Sequence, residues 1–180
     1  MIAAVILAAG SGTRMGTPKA LLELHGETLL QRAVRVARQA GLDPVVAVVG
    51  DFPPGMVGAE VVRNALAPEG MASSIRAGLA ALPPQVDQVL FMTVDQVAVE
   101  ADLLQRMMAL ASPHRPVACA YGGSLGIPAL FPARLFPQLW ELRGDRGAKA
   151  ILLQEDPLPI PFPGGLSDLD TPEDLARLTR

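Results

Sequence analysis

The 180-residue sequence has one cysteine, Cys119, two lysines, Lys19 and Lys149, and one asparagine, Asn64. A lone cysteine excludes an intramolecular disulfide and a thiolate metal cluster. Neither His25 nor His114 stands at a nucleophile-partner spacing from it, so Cys119 reads as a small buried apolar side chain. A basic excess is also missing. The net charge of −3 offers no basic face to nucleic acid, and any phosphate recognition must be local. Long apolar runs are absent too. The blocks IAAVIL, PVVAVV and QVLFMTV fall far short of the roughly 20 apolar positions a membrane helix needs. No basic region precedes the first block, as it would in a signal peptide. The expected location is the cytoplasm, with no membrane partner. With so few lysines among 15 Lys and Arg, and a single asparagine, Lys19 and Asn64 stand out.

Half the residues are hydrophobic and 18% are charged, a composition that folds, and the length suits a single domain over residues 1–180. Ile2–Ala8 is a continuous apolar run, as a strand covered on both faces should be. Leu29, Ala33, Val36, Ala37 and Ala40 recur at helical spacing, and Gly41 stops that helix. Further strands are expected at Pro44–Gly50, Glu60–Arg63, Gln88–Val94 and Pro116–Tyr121, with an edge strand at Ala129–Phe131. Helices are expected at Ser73–Leu82, Asp102–Ala111 and Gly147–Gln154. In DTPEDLARL, Thr171 is the N-cap and Pro172 the first helical residue. Alternating strands and helices predict a Rossmann-like three-layer α/β domain, with a mostly parallel twisted sheet between helices on both faces.

Strand one breaks into Gly10, Ser11, Gly12 and Gly16. Glycines at the carboxyl end of a parallel strand allow a tight turn and let a ligand approach bare backbone N–H groups. Arg14 and Lys19 follow, one a guanidinium that forks onto two phosphate oxygens, the other a movable point charge. Together they describe a polyphosphate cradle. A Walker A loop is excluded, because Pro18-Lys19-Ala20 replaces Gly-Lys-Ser/Thr. A dinucleotide fingerprint is excluded as well: the third glycine comes one residue late, and Asp51 is too distant for the ribose acid. Asp95 closes an apolar strand, where a carboxylate either caps the next segment or holds a cation. Ser73 and Ser74 read either as helix caps or as donors to a base or ribose, and Asn64 either as a turn residue or as a bridge to a nucleotide.

The stretch LAAGSGTRMGTPKALL resembles the signature loop of the MobA-like nucleotidyltransferases, which attach a nucleoside monophosphate to molybdopterin. The resemblance continues through RNALAPEGMASSIRAGL, TVDQV, GIPALF, LRGDRGAKAIL and DLDTPEDL, in order and over nearly the whole chain. It implies a nucleotide-diphospho-sugar transferase-like fold, with the nucleotide in the N-terminal part and the acceptor at roughly 115–170. LAAG and GMASSI resemble the cytidylyltransferase branch, whereas the guanylyl branch usually carries LAGG. The implied reaction moves CMP from CTP to the terminal phosphate of molybdopterin and releases pyrophosphate, with Mg²⁺ as cofactor.

By the same resemblance, Arg14, Lys19 and Asp95 are catalytic. Leu7, Ala8, Ala9, Gly10, Ser11, Gly12, Thr13, Arg14, Lys19, Asn64, Gly70, Ser74 and Asp95 bind the nucleotide. Asp95 and Asp170 hold the metal, with Asp168 a weaker candidate. Gly126-Ile127-Pro128 and Arg143–Gly147 face the acceptor, and Arg146 would meet its phosphate. The chain departs from the family pattern twice: Val97 stands where relatives have proline, and Ile127 where the cytidylyltransferases have histidine. Alternatives are GTP as donor, a sugar or alditol phosphate as acceptor, or a non-catalytic nucleotide sensor. A transient molybdoenzyme maturation partner is left open.

Overall fold

The structure, a computed structural model, describes residues 1–10, 16–169 and 171–178. The apolar run forms β1 (Ile2–Ala8). A two-residue hairpin follows, β2 (Glu23–Leu24) and β3 (Glu27–Thr28), turned by His25 and Gly26 with φ of 52° and 85°. Positive φ at both central residues is what a tight hairpin turn requires. Helix α1 (Leu29–Ala40) starts with a reciprocal capping box between Thr28 and Gln31. It ends at Gly41, φ 93°, where the Gly41 and Leu42 N–H groups donate back to Arg38 and Ala37. The remaining elements are β4 (Val45–Val49), β5 (Glu60–Arg63), α2 (Met71–Ala80), β6 (Gln88–Thr93), α3 (Ala101–Ala109), β7 (Val117–Tyr121), β8 (Ser124–Pro132), α4 (Phe136–Glu141), α5 (Lys149–Gln154), β9 (Leu158–Pro161) and α6 (Pro172–Leu178).

Among the described residues, seven strands form one sheet in the order β5-β4-β1-β6-β8-β7-β9. The first four are mutually parallel, β8 is antiparallel to both neighbours, and β9 is parallel to β7. Alternation along β1 divides the core. Ala4, Ile6 and Ala8 pack under α1 and α3, while Val5 and Leu7 pack with Ile75 and Leu79 of α2 and with Leu139 and Ile151. A Cβ on Gly78 would collide with Val5, so the glycine lets α2 lie directly on β1. Cys119 is fully buried, and that burial pushes its thiol up to about 12, as expected for a packing residue. Among the described residues no helix is long and apolar enough to cross a membrane.

Three expectations need correction. Ala129–Phe131 belongs to a nine-residue strand in the sheet interior, paired on both sides; the true edges are β5 and β9. Helix α2 begins two residues before Ser73, because Gly70 at φ 111° breaks the preceding turn and starts it. Strand β9 carries Pro159 and Pro161 and was not among the expected strands; an edge strand tolerates them because only one side needs hydrogen bonds.

Candidate functional site

The chain runs outward from β1 to β4 and β5, then crosses back to β6. Ligands bind α/β sheets at such a reversal, beyond the carboxyl ends of the strands. A cavity of about 1070 Å³ opens there. Leu7 pairs with Thr93 and Ala8 with Val49, which brings the ends of β6, β1 and β4 level. The Asn64 N–H donates to Val49 O at 2.8 Å and fixes the end of β5 beside them. From β5 to β6 is three strand spacings, about 14 Å.

Leu7, Ala8, Ala9, Gly10, Lys19, Asn64, Gly70, Ser74 and Asp95 all line this one cavity, far apart as they are in sequence. Ser11, Gly12, Thr13, Arg14 and Asp170 lie outside the described residues. Lys19 opens a 3₁₀ turn, Lys19–Leu21, and its Nζ lies 2.9 Å from Oδ2 of Asp95, each side chain 22% exposed. A residue after β1 and a residue after β6 are thus joined in the cavity wall. The Asp95 carbonyl in turn accepts from the N–H groups of Val97 and Leu169, both at 3.0 Å. Proline at position 97 could not make the first of these bonds, which gives Val97 a structural role of its own. The second brings the C-terminal segment, with exposed Asp168, alongside Asp95.

At the β5 end, Asn64 is buried and its polar atoms are spent within the protein. Its Oδ1 accepts from Leu66 N–H, and its Nδ2 donates to the hydroxyls of Ser73 (2.8 Å) and Ser74 (3.0 Å). Ser73 points its proton at the carbonyls of Leu66 and Gly70. Ser74 receives Asn64 at its oxygen, so its own O–H can serve a ligand in the cavity it lines. The α2 N-terminus is not open throughout: Ala72 N–H donates to Gly144 O at 3.1 Å. This contact brings Asp145 into the cavity wall beside Gly70, whereas LRGDRG had been expected on the acceptor side. Sequence spacing could not show that, because the loop reaches α2 from the far half of the chain.

A domain model for MobA-like NTP transferases matches residues 4–158. The chain belongs to that family. A molybdenum cofactor guanylyltransferase of Rhodobacter capsulatus is 31% identical over 98% of this chain and 94% of its own length. Nicotine blue oxidoreductase of Paenarthrobacter nicotinovorans is 30% identical over 98% and 96%. The crystal structure of Rv0371c from Mycobacterium tuberculosis H37Rv superposes with a TM-score of 0.84 at 30% identity, covering 99% of this chain and 96% of the other. A structure of that protein as a complex with manganese gives 0.79 at 27%, covering 99% and 97%. This MobA-like chain is therefore a nucleotidyltransferase, and the mostly parallel three-layer fold is the family's.

In this MobA-like transferase, a carboxylate oxygen that already draws an ammonium into the cavity wall suits a hard divalent cation. Such an ion takes one or two carboxylates and completes its shell with phosphate oxygens and water. Beyond Asp95, buried Gln96 donates to Ile127 O at 3.0 Å, and the Tyr121 hydroxyl donates to the same carbonyl at 3.0 Å. Burial above all pushes the Tyr121 phenol up, with Asp168 and Asp95 adding to the effect, so it remains a donor. A Cβ on Gly126 would overlap the Tyr121 hydroxyl, so the glycine of Gly-Ile-Pro is needed for packing.

Gly70 carries the sharpest backbone requirement. Its φ is 111°, and a Cβ would lie 2.5 Å from both Gly144 O and Asp145 Oδ1. Gly70→Ala is expected to destabilise the protein by at least about 2 kcal/mol. At 180 residues that is a fall of roughly 4–8 °C in Tm. A thermal melt within 1–2 °C of wild type, roughly the drop for under 1 kcal/mol, would contradict it.

Proposed function

We propose that this enzyme transfers CMP from CTP to the terminal phosphate of molybdopterin and releases pyrophosphate. The observation that carries the reading is the Lys19–Asp95 pair, which stands in the wall of a nucleotide-sized cavity in a MobA-like chain. An acceptor phosphate oxygen attacks the α-phosphorus. The new P–O bond forms as the bond from the α-phosphorus to the β-bridging oxygen breaks, and pyrophosphate leaves with that electron pair. Two anions meet and a third departs, so the protein's task is to position them and neutralise charge. Lys19 and Arg14 bind the triphosphate tail with the backbone amides of the loop from Leu7 to Thr13. Ser74 and Gly70 meet the base, with Asn64 orienting Ser74. Asp95 and Asp170 would hold Mg²⁺, which supplies further neutralisation of the phosphates. The acceptor approaches from the side of Gly126–Pro128 and Arg146.

LAAG at 7–10 and GMASSI at 70–75 favour CTP. GTP is the second reading, favoured by the relative named as a guanylyltransferase. The test is pyrophosphate release from CTP and from GTP, with Mg²⁺ or Mn²⁺, in the presence and absence of molybdopterin. Release from CTP only when molybdopterin is present is expected. Release from GTP alone moves the reading to the guanylyl reaction. Turnover with a sugar phosphate alone overturns the acceptor, and binding without turnover makes the protein a sensor.

A further inference from the structure

The cavity wall at the start of α2 carries a carboxylate to which the reaction above gives no task. Asp145 is exposed, lines the cavity with Gly70, Met71 and Ser74, and stands with Oδ1 within van der Waals reach of Gly70. Its place is fixed from behind: the preceding residue, Gly144, accepts from Ala72 N–H, and Leu142 O accepts from Arg76 of the same helix. Among the described lining residues Lys19 is the only cation, and it lies with Asp95 beyond β1 and β6. Unlike Asp95, Asp145 forms no ion pair among the described residues, and a carboxylate without a cation beside it would repel a triphosphate, so Asp145 belongs to the uncharged, nucleoside end of the ligand.

An ionised carboxylate accepts hydrogen bonds and cannot donate them. On a base, the matching group is an exocyclic amine, such as N4 of cytosine or N2 of guanine. A keto oxygen in the same place would set lone pairs against lone pairs. We propose that Asp145 reads the exocyclic amino group of the base and so selects amino-bearing over keto nucleotides. This rests on the nucleotide half of the proposed function and is independent of the acceptor. It applies equally to CTP and GTP.

The test is calorimetric titration of the Mg²⁺ complexes of CTP, UTP, GTP, ITP and the 2′-deoxy form of whichever binds best, on wild type and Asp145→Asn. Wild type is expected to prefer CTP to UTP, or GTP to ITP, by about tenfold or more, the factor one charge-assisted hydrogen bond supports. In Asp145→Asn that preference should fall about tenfold, because a carboxamide can turn either its oxygen or its N–H groups toward the base. Asp145 is exposed, and an unchanged Tm will show that the variant folds. The assignment is overturned if wild type binds triphosphates without an amine preference, or if the variant keeps that preference. It is also overturned if the variant loses only its discrimination against the 2′-deoxy form, which would make the ribose the partner. A wild type that binds none of the triphosphates removes the nucleotide reading itself.

Discussion

Asp95→Ala should remain folded and lose pyrophosphate release by about 100- to 1000-fold, by analogy with the loss of one preorganised electrostatic group from other active sites. The backbone of residue 95, not its side chain, holds the local structure, through the N–H groups of Val97 and Leu169. Deleting the carboxylate leaves those bonds intact, and the Lys19 side chain is partly open to solvent. A coupled phosphate assay and a thermal melt on the same preparation separate chemistry from folding. Turnover close to wild type would remove Asp95 from the mechanism, whatever its neighbours do.

Lys19→Met is expected to produce two changes of opposite sign. Affinity for the nucleoside triphosphate should fall about tenfold or more, and affinity for the monophosphate much less, because on the proposed reading the lost ammonium would bond charged phosphate oxygens of the tail. Affinity for Mn²⁺ without nucleotide should rise, since Nζ no longer competes for Oδ2 of Asp95, which it approaches to 2.9 Å. The prediction is that the two cations compete for that oxygen. On that expectation, a triphosphate that draws Lys19 away in wild type should vacate Asp95, so that metal and nucleotide favour each other's binding. Calorimetry of both ligands on both proteins measures the pair of effects. Equal loss of mono- and triphosphate affinity, or unchanged Mn²⁺ affinity, would show that Lys19 serves only as a structural partner.

Much of this was legible in the sequence because the central strands are buried on both faces. Val45–Val49 and Val89–Met92 admit only apolar residues, so their runs announce them. Asp95 was legible for the same reason, as a carboxylate ending such a run. The Glu60–Arg63 strand kept its predicted bounds, although it is a mostly exposed edge. The peripheral elements were obscured. Ser124–Leu125 and Gly126 interrupt the β8 pattern, and two prolines mask β9, because partners elsewhere in the sheet, not local propensity, hold these residues extended. Asn64 was noticed for its rarity, but its commitment to Leu66, Ser73 and Ser74 depends on where α2 begins. That start is set by Gly70 against Gly144, a contact between residues 74 positions apart.

The loop at 142–145 is bonded to α2 and not only to the C-terminal half from which it comes. Family members are natural candidates for recombination at the crossover between β6 and β7, to graft one acceptor preference onto another nucleotide preference. Such a hybrid would import the donor parent's Asp145 region into the host's cavity wall and press it against the host's Gly70. A host with a side chain at position 70 would set its Cβ against the imported Gly144 and Asp145, and the hybrid should lose stability although its first hundred residues were untouched.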